Sequence, residues 1–290
     1  MLKKNYEMIK DAPPALSWDV YAQQSYEEYQ TLLKETKNEC DFHTFFEQNP
    51  SFIPGAFQFF GVSGHSPYTH SLISKPTLNG LFNRVPDFVW LAKNSLYFTP
   101  VLIEIENPSK KTFTSSHNQT ADFSQALGQI AEWKAILSKP ENILQFYQNF
   151  AIPNEIRIKT FAPQYLLIYG RRAEFENNQI LLNKRAQLTP DDVGLISFDR
   201  LRPDPNAANF TCVALANGKY TVKTIPPTFT YSPGTAYNLS IISEFDKAIP
   251  SIKGISDERR NFLKERYRYW KNFNSQSRQK MGIIHCADKE

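Results

Sequence analysis

Two apolar runs with acids set into them constrain this chain most. Val85-Pro86-Asp87-Phe88-Val89-Trp90 and Tyr97-Phe98-Thr99-Pro100-Val101-Leu102-Ile103-Glu104-Ile105-Glu106-Asn107-Pro108 are rich in β-branched and aromatic residues, and Lys93-Asn94-Ser95 between them is turn chemistry. Strand, turn, strand is the reading. Side chains alternate across a strand, so Glu104 and Glu106 share one face while Ile103 and Ile105 take the other. Apolar neighbours on both faces are the mark of a central strand covered on each side, where two acids are costly unless paired or bound to a cation. If Asp87 turns to the same side, three carboxylates converge as the oxygen donors that a hard divalent cation such as Mg²⁺ requires. Salt bridges inside an ordinary α/β core are the alternative that spacing alone leaves open.

The rest of the chain supplies helices to cover such a sheet. From Trp18 the residues Ala22, Tyr26, Tyr29 and Leu33 recur at steps of three or four, as on one face of a helix, and Pro13-Pro14 closes a polar arm before it. A short helix over about Asp41 to Gln48 buries Phe42, Phe45 and Phe46, carries Glu47 on its edge and ends at Asn49-Pro50. Residues 61–84 are loop-rich and hold His65 and His70, whose spacing suits no metal site. The polar loop after the hairpin contains Lys110 and Lys111, either able to fold back toward the acids. A helix from Ala121 to Leu137 buries Phe123, Leu127, Ile130, Ala131 and Leu137 and aligns Gln125, Gln129 and Glu132 on another face.

Strands are expected over Ile156–Phe161, Tyr165–Tyr169 and Leu195–Phe198, with Arg171-Arg172 at the end of the second, where paired arginines suit phosphate. Residues 217–255 read as a connecting region with one amphipathic patch around Leu239 to Ala248. The final helix, Asp257 to about Asn274, has an apolar stripe of Leu263, Tyr267 and Trp270 and a basic outer face.

The order of these motifs resembles the PD-(D/E)XK phosphodiesterase superfamily: Pro-Asp, a gap of fifteen to twenty residues, then Glu-x-(Lys or an acid) on the next strand. Phe45-Phe46-Glu47-Gln48-Asn49-Pro50, Pro86-Asp87-Phe88, Leu102 to Pro108, Gln125 with Gln129-Ile130, Leu166 to Arg172 and Ile196 to Leu201 are together similar to the Shedu anti-phage defence family. That resemblance implies a mixed central sheet flanked by helices over residues 38–215, with an N-terminal helical arm (1–37) and a C-terminal extension (216–290). It implies Mg²⁺ or Mn²⁺ held by Asp87, Glu104 and Glu106, site roles for Glu47 and Gln125, and phosphate contacts from Lys110, Lys111, Arg171 and Arg172. The implied activity is endonucleolytic cleavage of double-stranded DNA in the cytoplasm, by a homo-oligomer. Glu106 stands where the family usually has lysine, which keeps alive a nuclease-fold protein that binds nucleic acid or a partner without cutting.

Composition narrows the rest. Three cysteines without CxxC spacing indicate neither a zinc site nor a disulfide framework, and a reducing cytosol fits them. No run of eighteen apolar residues and no apolar segment after the N-terminal lysines point to a membrane span or a secretory signal. There is no GxxxxGK[ST], GxGxxG or HExxH, and Gly61-Val62-Ser63-Gly64-His65 lacks the spacing of a nucleophile elbow. A glycosidase with paired carboxylates ranks last. The net charge is +4, and residues 257–280 alone carry eight Lys or Arg against three Asp or Glu, so the basic surplus is local.

Overall fold

A computed structural model describes residues 6–36, 38–61, 63–79, 83–277 and 288–290, excluding the side chains of residues 274–277. The start of the N-terminal arm, the Asn79-Gly80 turn beyond Asn79, and Cys286 lie outside these residues. The helices are α1 (Trp18–Glu35), α2 (Glu39–Gln48), α3 (Ala121–Leu137), α4 (Pro140–Asn149), α5 (Asn154–Arg157), α6 (Gln179–Leu188), α7 (Pro233–Ala236), α8 (Phe245–Ala248) and α9 (Asp257–Ser277). The strands are β1 (Ser71–Ser74), β2 (Phe88–Lys93), β3 (Tyr97–Ile105), β4 (Thr160–Phe161), β5 (Gln164–Ile168), β6 (Val193–Ile196), β7 (Thr211–Ala216), β8 (Lys219–Thr224) and β9 (Ile242–Ser243).

All nine strands form one sheet in the order β6-β5-β3-β2-β1-β7-β8-β9, with β4 also against β3. The hairpin is at its centre. β2 and β3 run antiparallel with Phe88 opposite Ile103, and Asn94 Oδ1 closes the turn by accepting the Leu96 and Tyr97 N–H groups at 2.8 and 2.7 Å. β3, β5 and β6 are parallel, so their carboxyl ends gather along one end of the sheet.

Alternation along the strands divides the interior into two cores. Phe88, Trp90, Val101, Ile103 and Ile105 pack with Tyr29, Phe42, Phe45 and Phe46 of α1 and α2. On the other face Val89, Leu91, Phe98 and Leu102 pack with Phe123, Ala126, Ile130 and Trp133 of α3 and with Leu263, Tyr267 and Trp270 of α9. Both faces are covered, which explains the near-continuous apolar runs.

Several elements differ from the sequence reading. In α1 the buried row is Tyr21, Ser25, Tyr29 and Leu33, one register from Trp18 and Ala22, because the Tyr21 hydroxyl pairs with Asn49 and Ser51 at 3.0 Å each. In α3 Ala126 and Trp133 are buried in place of Leu127 and Ala131. Ile156 lies in a turn of helix, not a strand, and only Thr160 and Phe161 pair with β3. The expected connecting region contributes β8 and β9 to the same sheet, and its residues Phe229, Tyr231, Leu239 and Phe245 share the core of α3 and α9.

The basic face of α9 is also thinner than expected. Arg259 and Arg266 are buried: Arg259 donates to Pro13 O at 2.7 Å, Phe229 O at 2.8 Å and Glu290 Oε1 at 2.5 Å, and Arg266 donates to Glu7 O at 2.8 Å. These arginines tie the two ends of the described chain to α9.

Candidate active site

Extending the β2–β3 register by one residue sets Asp87 opposite Glu104, on the face that α3 covers. Glu104 is 8% exposed and Glu106, just beyond the strand, is 7% exposed. Asp87 Oδ2 accepts the Ile105 N–H at 2.9 Å, and its carbonyl accepts the Lys75 N–H at 2.8 Å.

The charges at this end of the sheet oppose one another. Burial, reinforced by Glu39 and Glu106, pushes the Asp87 carboxyl up to about 7 despite its backbone hydrogen bond. Glu104 is pushed up to about 9 by burial first, then by Asp87, Glu106 and Glu39. Glu39 in the first turn of α2 is itself raised by burial and by Glu106.

Lys110 supplies a cation. Its side chain folds back from the loop so that Nζ pairs with Glu106 Oε2, as one of the two loop lysines could. Burial opposes the ammonium, but the bond to Glu106 more than offsets it and the Lys110 pKa is raised. The fold holds this loop closely: Gly170, at φ +64°, lies where a Cβ would come within 2.9 Å of Lys110 O, and the Tyr169 hydroxyl donates to Lys111 O at 3.2 Å. The Lys111 side chain is exposed.

Glu47 faces the same region and is engaged there by Lys223 and the Ser74 hydroxyl. Burial opposes its charge, yet those hydrogen bonds hold it below the usual carboxylate range. His43, one turn earlier, is buried and stacked on Phe88 at 4.6 Å and 13°. Its Nδ1 is 3.4 Å from Glu47 Oε1 and its Nε2, buried without a hydrogen-bond partner among the described residues, is 3.9 Å from Asp87 Oδ1, so the ring lies between the two acids. Burial and Lys75 push it down to about 4, which leaves the ring neutral at pH 7.

His43 and Glu39 escaped the sequence reading although a signal was present. Glu39, His43 and Glu47 recur at steps of four on one helix, and residues so spaced share a face. Placing Glu47 at the site would have brought the other two with it.

Other sequence candidates lie elsewhere. Gln125 is exposed on α3 and, among the described residues, makes no hydrogen bond to the three acids. Glu132, in line with it, pairs with Arg84. Arg171 is spent on structure, gripping Asp199 at 2.9 and 2.8 Å and donating to Leu33 O at 3.2 Å. Arg172 gives its backbone N–H to Asp199 at 2.6 Å and keeps its side chain exposed.

Among the described residues no three His, Cys, Asp or Glu side chains are gathered closely enough to enclose a metal ion. The donor chemistry nonetheless suits a hard cation, because burial first, and then the neighbouring carboxylates Glu39 and Glu106, push Asp87 and Glu104 toward the protonated form, and a divalent ion would offset both effects. No helix among the described residues is long and apolar enough to cross a membrane.

Residues 36–201, more than half of the chain, match the family described as Shedu protein SduA, C-terminal. A search of curated proteins found no match.

Proposed function

The chain belongs to the Shedu family, and we propose that it is a metal-dependent DNA endonuclease of the PD-(D/E)XK type. The observation that carries this reading is the pair of buried carboxyls, Asp87 and Glu104, opposed across the central hairpin and destabilised in their charged forms. Buried acids whose charged forms are so disfavoured cluster at functional sites. Family membership supports a role in anti-phage defence, and the family resemblance supports double-stranded DNA as substrate, a cytoplasmic setting and a homo-oligomer.

Asp87 and Glu104 would hold Mg²⁺ or Mn²⁺, with Glu39 and Glu106 beside them. When bound, the ion supplies Lewis-acid polarisation of the phosphoryl group and acidifies water. The chain's own groups do the rest. Glu106 would take a proton from the attacking water. Lys110, from the following loop, pairs its ammonium with Glu106, the residue that stands where the family usually has lysine, and it would stabilise negative charge developing on the phosphoryl oxygens. Glu47 would act at one remove, through the His43 ring that lies between it and Asp87.

Incubation with supercoiled plasmid and Mg²⁺ tests this: the wild type nicks or linearises the DNA, EDTA stops it, and Asp87→Ala abolishes it. The Lys110–Glu106 pair, which occupies one of the candidate acids, favours one rival, a fold that holds DNA without cutting. Its signature is salt-sensitive DNA binding that survives Asp87→Ala, with no cleavage in either metal.

A further inference from the structure

At the β6 edge of the sheet, beyond the carboxyl ends of β5 and β6, a cleft is lined by Arg172, Phe175, Glu176, Arg185, Asp199 and Arg200 among others. Its charge is unbalanced. Asp199 is already gripped by the Arg171 guanidinium and the Arg172 N–H, and Glu174, the acid that acts on Arg185, is held by the Thr112 and Phe113 N–H groups, so among the lining residues three arginines are set against the one exposed carboxylate of Glu176. Arg185 is the most constrained of them. Its guanidinium lies over the Phe175 ring at 5.0 Å, and its Nε and Nη2 are buried without a hydrogen-bond partner among the described residues. Guanidinium donors left unpaired in this way carry a desolvation cost that a doubly accepting anion removes.

The cleft opens at the same end of the sheet as Asp87 and Glu104. β6 is separated from β3 by β5 alone, so at about 4.8 Å per strand the two strand ends are about 10 Å apart.

We propose that this cleft seats a backbone phosphate of the DNA strand crossing the carboxylate site, a few nucleotides or fewer from the reacting bond. The assignment rests on the nuclease reading, while its test needs no cleavage. Arg185 and Arg200 thereby replace Arg171 as partners of Arg172 in phosphate recognition, because a planar guanidinium matches two phosphate oxygens at once.

Binding of a fluorescent duplex is measured by anisotropy in EDTA over a salt series. Arg172→Gln with Arg200→Gln weakens binding about tenfold and lowers the slope of log K against log salt by about one, the value for a single lost phosphate contact. Arg185→Lys keeps the charge, loses the fork and weakens binding by less, giving a readout should Arg185→Gln fail to fold. Arg268→Gln with Lys271→Gln, exposed on α9, leaves the slope unchanged. Unchanged affinity and slope in the Arg172/Arg200 variant overturn the proposal, as does an equal loss in the α9 pair. It falls equally if inorganic phosphate raises the melting temperature of the wild type, but not of the Arg172/Arg200 variant, while DNA binding is unaltered; the cleft is then a free-anion site. A wild type with the expected slopes that never cuts in Mg²⁺ upholds the cleft and sinks the nuclease reading.

Discussion

Asp87 and Glu104 set a pH dependence whose sign follows from burial. An unfolded aspartate or glutamate releases its proton near 4, whereas folded Asp87 holds one up to about 7 and Glu104 up to about 9. Between those limits the folded state binds more protons, so without metal its stability falls as pH rises from about 4 toward 9, by an amount on the order of a few kcal/mol. Urea unfolding in EDTA at pH 5, 7 and 9 is expected to show this fall in the wild type and a flatter curve in Asp87→Asn and Glu104→Gln. A curve as steep in the variants places the titrating groups elsewhere. Mg²⁺ should raise the wild-type melting temperature more at pH 8 than at pH 5, because protonated carboxyls bind it poorly. At the neighbouring position, Lys110→Met strands Glu106 without its cation and is expected to lower kcat at least tenfold with KM little changed, the pattern of an interaction realised in the transition state. The acids on β3 could be read from period-two alternation alone, while the folding back of Lys110 depends on a loop held down by Gly170 and Tyr169, which no local pattern displays.

At the scale of elements, α3 shows how local chemistry fixes site geometry. Its N-cap, Thr120, accepts the Phe123 N–H at 3.2 Å and donates to Lys111 O at 2.7 Å, so one hydroxyl starts the helix and pins the Lys110 loop. Thr120→Ala should cost about 1 kcal/mol for the cap and weaken cleavage beyond what that instability explains; Thr120→Ser, which keeps both bonds, should recover both. The central hairpin was legible because its turn and apolar arms agree. The β7–β8 hairpin carries an equally local signal: Asn217-Gly218 is the dipeptide of a tight hairpin turn, and both residues take positive φ, +50° and +72°. Pro226-Pro227 just beyond it resembles linker chemistry and competes with that signal. Arg259 and Arg266 are a different case, since their burial depends on Pro13, Glu7 and Glu290, segments far away in sequence, and helical periodicity reports charge without saying what will neutralise it.

For the whole molecule, the continuity of the sheet past residue 216 argues for one cooperative unit that includes the C-terminal quarter of the chain. β7 is flanked by β1 and β8, and Tyr231, Phe245 and Trp270 lie in one core with Val89 and Trp133. A chain ending at residue 216 is therefore expected to lack a cooperative urea transition by circular dichroism, whereas the intact chain unfolds in one step; a folded, active fragment would restore the C-terminal region to an appendage. The sheet also gathers at one end the acids of β2 and β3, the Lys110 loop and the arginine cleft, although they are scattered over more than a hundred residues of sequence. The most direct test of the account is therefore cleavage itself, with purified protein, circular and linear duplex DNA, and Mg²⁺, Mn²⁺ or EDTA, run beside Glu104→Gln. The account predicts metal-dependent internal cuts by the wild type and none by Glu104→Gln, while both bind DNA with the same salt slope. Cleavage that persists in Glu104→Gln would contradict it, because the reaction would then belong to a site other than the Asp87–Glu104 pair.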